Sequence, residues 1–227
     1  MGLLVLIIIV AIVFGVMYQS QNADVNKRCK GKSEQQKQVI KYLYGGCMTF
    51  GKMTDADYDS MVASVRDGLN LKQKALNKIG LDEDQLKEIE PVFFEGYARN
   101  NLFIGKQDGK LRSTWYETAW LFFSDSQVYM YKYSWDMESD GKRETSEEYF
   151  YTDITNFNTA SETVEAFNIK TGCNGKEKSR EKVNRDYSSF SLVVPGDKFY
   201  CSTSNAPNAE SSVSAMKQKL REKKGNR

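Results

Sequence analysis

Residues 115–135, WYETAWLFFSDSQVYMYKYSW, decide how this chain is built. Trp115–Phe123 is a run of aromatic and apolar side chains that reads as a strand. Ser124, Asp125 and Ser126 form a turn. Val128–Trp135 then alternates strictly, which places Tyr129, Tyr131, Tyr133 and Trp135 on one face of a second strand. Asp140-Gly141 is a hairpin signal into a third strand over Glu144–Tyr151. Further strands are expected over Ile154–Asn158, Val164–Ile169, Phe190–Val194 and Phe199–Ser202, with Pro195-Gly196 joining the last two. Gly172–Tyr187 is polar and charged and reads as a loop. Asn208 then caps a final helix that carries Val213, Met216 and Leu220 along one stripe.

On the N-terminal side of this β region the period is helical. Val39, Ile40, Leu43 and Tyr44 mark one amphipathic stretch, closed by Gly45-Gly46. Thr54 with Asp57 three residues on is a capping signature ahead of Met61, Val62 and Val65. Leu69–Ile79 ends at Gly80, a natural C-terminal cap. Asp82 begins a short helix over Leu86 and Ile89, stopped by Pro91. These residues, 34–91, read as a small helical subdomain.

Further out, Gly2–Tyr18 (GLLVLIIIVAIVFGVMY) is seventeen residues without a charge. At 1.5 Å per residue it makes roughly 26 Å of helix, the short end of a bilayer span. It has no basic leader and no small-x-small cleavage signal, so a retained anchor fits better than a signal peptide. Lys27, Arg28, Lys30, Lys32, Lys37 and Lys41 follow it. The positive-inside rule then places the C-terminal bulk in the cytoplasm. The expected organisation is a transmembrane anchor over 1–18, a linker over 19–33, the helical subdomain over 34–91 and a β domain over 100–227. That makes an α+β, single-pass protein of the cell membrane, with the lipid bilayer as a partner through residues 2–18.

About seven antiparallel strands closed by one amphipathic helix resemble the bacterial pleckstrin-homology-like (PH-like) domains. Tyr151-Thr152-Asp153-Ile154-Thr155 looks like that family's aromatic–acid–Ile turn, and SSVSAMKQKLREKKG (211–225) looks like its closing helix. The likeness covers about Leu102–Lys224. It implies a β-sandwich or partly open barrel with a capping helix, and a protein-interaction or scaffolding role.

Composition narrows the chemistry. The chain of 227 residues has 32 Lys+Arg, 30 Asp+Glu and no His. Histidine-dependent nucleophile systems and His-ligated zinc are therefore absent. Cys29, Cys47, Cys173 and Cys201 form no C-x-x-C pair, so the cysteine spacing points to neither zinc nor redox chemistry. If the cytoplasmic topology fails, Cys173 and Cys201 are the pair to test for a bridge. Gly46–Lys52 matches a phosphate loop in outline, but Met53 stands where Ser or Thr is needed and no βα alternation follows. Asp55, Asp57 and Asp59 begin like a calcium loop, yet Ser60 and Arg66 occupy its glycine and glutamate positions. No catalytic, metal or cofactor site is expected.

Two surfaces remain. Tyr129, Tyr131, Tyr133 and Trp135 form a candidate protein-interaction face. Nine acids against two bases in Ser134–Ala166 argue against nucleic acid. Lys27, Arg28, Lys30 and Lys32, with Lys176, Lys178, Arg180 and Lys182, are candidate contacts to anionic lipid. The first expectation is thus a non-enzymatic, membrane-anchored interaction module. The alternatives are an exported, membrane-tethered cell-envelope factor or a peripheral binder of anionic lipid.

Overall fold

A computed structural model describes residues 2–46, 49–80, 89–171 and 177–225. Helices α1 (Gly2–Cys29), α2 (Glu34–Tyr44), α3 (Asp55–Gly68) and α4 (Leu71–Ile79) precede nine strands. The strands are β1 (Val92–Tyr97), β2 (Leu102–Ile104), β3 (Leu111–Ser113), β4 (Trp115–Phe123), β5 (Gln127–Asp136), β6 (Lys142–Phe150), β7 (Asn156–Thr171), β8 (Glu177–Val194) and β9 (Asp197–Ser202). Helix α5 (Ala209–Gly225) follows. The fold is α+β, with one sheet ordered β1-β4-β5-β6 and another ordered β3-β2-β7-β8-β9. All pairings are antiparallel except a single parallel bridge, Phe103 to Phe167 between β2 and β7.

The opening hairpin Trp115–Trp135 is β4 and β5, paired from Trp115–Asp136 to Phe123–Val128. Its alternation sorts side chains to two interiors. Ala119, Leu121, Phe123, Val128 and Met130 enter a core shared with Phe157, Phe190, Leu192 and Phe199 of the second sheet. Val213, Met216 and Leu220 of α5 pack into that same core. Tyr116, Phe122, Tyr131, Tyr133 and Trp135 enter a second core with Val39, Leu43, Tyr58, Val62 and Leu76 of helices α2–α4. Apolar side chains at successive positions are what a strand covered on both faces requires.

The helix ends are set locally. Ser33 and Thr54 each complete a reciprocal capping box, with Gln36 and Asp57. Gly80 ends α4 in the left-handed region at φ 74°. The short helix expected over Leu86 lies largely outside the described residues.

Several expectations are corrected. Among the described residues no helix is long and apolar enough to cross a membrane. The apolar run of α1, Gly2–Tyr18, is seventeen residues, below the roughly 20 that cross ~30 Å of hydrocarbon. The helix then runs unbroken through the polar stretch read as a linker, as far as Cys29. The transmembrane anchor, the single-pass location in the cell membrane and the orientation drawn from it are therefore withdrawn. Among the described residues the strands number nine rather than about seven, starting at Val92, before the expected domain edge. Two short strands over 154–169 are one, β7, and residues 177–187 of the expected loop belong to β8, its long antiparallel partner. Main-chain pairing with β7 holds β8 extended there despite its polar side chains, because a ladder bond needs only backbone.

Candidate functional site

The aromatic stripe does share one face, but that face is covered. Tyr131, Tyr133 and Trp135 are buried beneath α2–α4, and Tyr129 is half-buried at the edge of the same cluster. Tyr116 and Trp135 pack with ring centroids 5.2 Å apart. The stripe is a packing surface between sheet and helices, so no partner can reach it without displacing the helical subdomain.

The helical subdomain is fastened by a polar cluster. Arg112 on β3 is 1% exposed. Its Nε and Nη2 donate to Asp59 Oδ1 and Oδ2 at 2.8 and 2.6 Å. Its Nη1 and Nη2 donate to Asp108 Oδ1 and Oδ2 at 2.8 and 2.9 Å. This double fork is the geometry that makes arginine–carboxylate pairs strong and specific. Asp55 Oδ2 lies 3.9 Å from Nη1. Asp55 also accepts the Tyr42 hydroxyl at 2.7 Å and the backbone N–H groups of Lys106, Gln107 and Asp108. Tyr97 donates to Asp59 Oδ1 at 2.5 Å. Gly105 stands so close that a Cβ there would meet the guanidinium of Arg112 and the carboxylates of Asp108 and Asp55.

Asp55 and Asp59 reach the cluster because they lie one helical turn apart on the first turns of α3, on one face. Asp57, between them, turns to the Thr54 cap instead. Hydrogen bonds from Arg112 hold the Asp108 carboxyl well below the usual carboxylate range. Burial pushes the Asp55 carboxyl up, but the Tyr42 hydroxyl and the three backbone N–H groups outweigh it, and the net shift is down. Lys106 caps the end of α2 by donating to the carbonyls of Tyr42 and Leu43 at 2.7 and 3.3 Å. Burial pushes its ammonium down to about 8. Every carboxylate in the cluster is thus engaged by a cation or an N–H, which leaves none poised as a general acid or base. Among the described residues no group of three or more Cys, Asp and Glu could hold a metal ion.

Sequence reading missed this cluster. Its signal was the D-x-x-x-D spacing at the start of α3 together with a lone Arg in a strand-like segment. The two lie 53 residues apart, and no local pattern joins them.

A cleft of about 590 Å³ opens between the β7–β8 hairpin and the start of α5. Its walls carry the hydroxyls of Thr159, Ser161, Ser188, Thr203 and Ser211, with Glu210 the single ionisable residue. One acid without a base or cation sets up no acid–base pair.

The candidate lipid-contacting bases separate. Lys27, Arg28 and Lys30 are exposed and Lys32 is half-exposed, all at or just beyond the C-terminal end of α1. On the hairpin, Lys182 pairs with Glu165 at 2.9 Å and Arg180 lies over the Phe167 ring. Of Lys178 only the backbone, within β8, is described, and Lys176 lies outside the described residues. Cys173 also lies outside them. Cys29 and Cys201 are buried free thiols.

One surface open to a partner is the outer edge of β6. β6 ends its sheet and pairs only with β5 among the described residues. Seven of its nine residues are exposed, and Glu147 and Tyr149 are half-buried. The Asp136 N–H donates to the Gly141 carbonyl, and the Tyr151 N–H to that of Ser126. In an antiparallel ladder bonded and non-bonded pairs alternate. Lys142, Glu144, Ser146, Glu148 and Phe150 therefore turn their N–H and C=O groups away from β5.

No protein-family model matches the chain, and no curated protein or solved structure matches it either.

Proposed function

We propose that this protein is a non-enzymatic interaction module that docks an extended, basic segment of a partner protein along the β6 edge. The observation that carries it is the outer row of main-chain groups, from Lys142, Glu144, Ser146, Glu148 and Phe150, that β5 leaves unpaired on an exposed nine-residue strand. Added strands gain affinity from such a row and specificity from alternate side chains. Glu144, Glu147 and Glu148 make the middle of the strand acidic, without an intervening base, which favours a basic segment. Burial of the aromatic stripe moves the interaction surface from the sheet face to the sheet edge. The interaction role implied by the PH-like likeness agrees with this proposal. The absence of His and the full engagement of the Arg112 carboxylates favour binding over catalysis. Charged residues on an edge also protect it from aggregation, and the two roles are separable.

The test is binding to an array of immobilised extended peptides of basic, neutral and acidic composition. Wild type is expected to select basic peptides. Ser146→Pro removes an outward N–H and leaves the β5 ladder intact, so it should abolish binding while the melting temperature holds. Equal capture of all peptide classes, or undiminished capture by Ser146→Pro, overturns the proposal.

A further inference from the structure

Helix α1 leaves the protein body as an apolar rod. Leu4–Val10, Ile12–Phe14 and Val16 are 48–66% exposed. They are exposed all around the helix, so α1 has no apolar stripe facing a polar one. A protein groove covers one side of a helix, and an amphipathic interfacial helix has a polar face. Only a surrounding apolar phase removes all of these side chains from water. Where the rod meets the body, Tyr18 stacks on Phe50 with centroids 5.9 Å apart. Phe50 is 67% exposed. Exposed aromatic rings at such a level are typical of a water–hydrocarbon boundary.

Beyond that level the helix docks. Asn22 accepts from the Thr49 hydroxyl, and Val25 and Cys29 pack on Ile40. The surface there is basic. From Asp24 to Lys41 there are six bases (Lys27, Arg28, Lys30, Lys32, Lys37, Lys41) and two acids (Asp24, Glu34).

From this order of apolar rod, aromatic pair and basic collar we infer that the protein attaches to anionic lipid surfaces, with the first turns of α1 in the hydrocarbon and Lys27, Lys30 and Lys32 against the headgroups. The attachment needs no crossing, for which the apolar stretch is too short. It is independent of the β6 edge, which lies on other residues.

The test is flotation of the full chain with vesicles of phosphatidylcholine alone and of phosphatidylcholine with phosphatidylglycerol. Wild type should float with both and partition more strongly into the anionic set. Ile9→Asp, at a position that packs on nothing in the body, should lower partitioning about a hundred-fold on both. Lys27→Ser with Lys30→Ser and Lys32→Ser should lower it roughly five-fold per base on anionic vesicles and leave neutral vesicles unchanged. Circular dichroism verifies that each variant is folded. The inference is overturned if folded wild type stays with the protein fraction, if it self-associates through α1 and ignores the vesicles, or if the triple variant loses nothing on anionic vesicles.

Discussion

The two layers that cover the β1-β4-β5-β6 sheet are fastened differently. One face meets the second sheet and α5 through Phe94, Leu121, Met130, Phe190 and Met216, all at 0% exposure. The other meets α2–α4 through an aromatic-rich core of its own, and beside it the Arg112 carboxylate cluster ties α3 to β3 of the second sheet. An apolar interface is tolerant of direction and indifferent to pH. A polar one fixes a register, because each donor has one acceptor position, and it is costly when a partner is missing. The helical layer is therefore the one whose attachment a single change of charge can weaken.

The largest effect should come from the apolar face. Phe94→Ala leaves a cavity in the shared core and should cost about 4 kcal/mol. It should lower the stability of strands and helices together in denaturant titration. A loss confined to α2–α4 would mean the two faces do not share a cooperative unit. At the polar cluster, Arg112→Leu takes the cation from Asp59 and Asp108 and should cost about 3 kcal/mol. Hydrogen exchange should then rise first in α2 and α3 while β4–β5 stay protected. Uniform exchange across both layers would erase the contrast drawn here.

Gly105→Ala is the smaller cut at the same place. Its methyl group would displace the Arg112 guanidinium, at about 2 kcal/mol. A smaller cost of Gly105→Ala in an Arg112→Lys background than in wild type would identify the contact with the guanidinium as the cause.

Acid should act in the same direction. The Asp55 and Asp108 carboxyls sit below their ordinary values in the folded protein. Their stabilisation is complete well above the unfolded value of about 3.9 and is lost as pH falls through the folded values. Between about pH 4 and 2 the helical signal should fall before the strand signal, and Asp108→Asn should flatten that dependence. Lys106 adds a dependence of the same sign at alkaline pH. With its folded pKa at about 8, below the unfolded value of about 10.4, stability should rise between those limits. The smallest effect is Thr54→Ala, about 1 kcal/mol from the lost α3 cap, read as a small shift in melting temperature.

What could be read in advance follows the range of each interaction. The Trp115–Trp135 hairpin, the capping box at Thr54 and the α5 stripe were legible because period and caps act over a few residues. The alternation of Tyr129, Tyr131, Tyr133 and Trp135 placed them on one face, but nothing local says whether that face is bare. The Arg112 cluster was invisible for the same reason, since Asp59 reaches Arg112 only after α3 has docked. The β8 segment 177–187 looked like a loop because its charged side chains conceal a backbone that β7 holds in register.

By itself the sequence determined the elements: helical and strand periods, the caps, the apolar N-terminal run, and a chemistry without histidine. Tertiary structure alone decided which faces are covered, which charges meet and which strand is left as an edge. Periodicity is a property of neighbouring residues along the chain, whereas burial and charge pairing depend on partners that only the folded topology brings within a few ångströms.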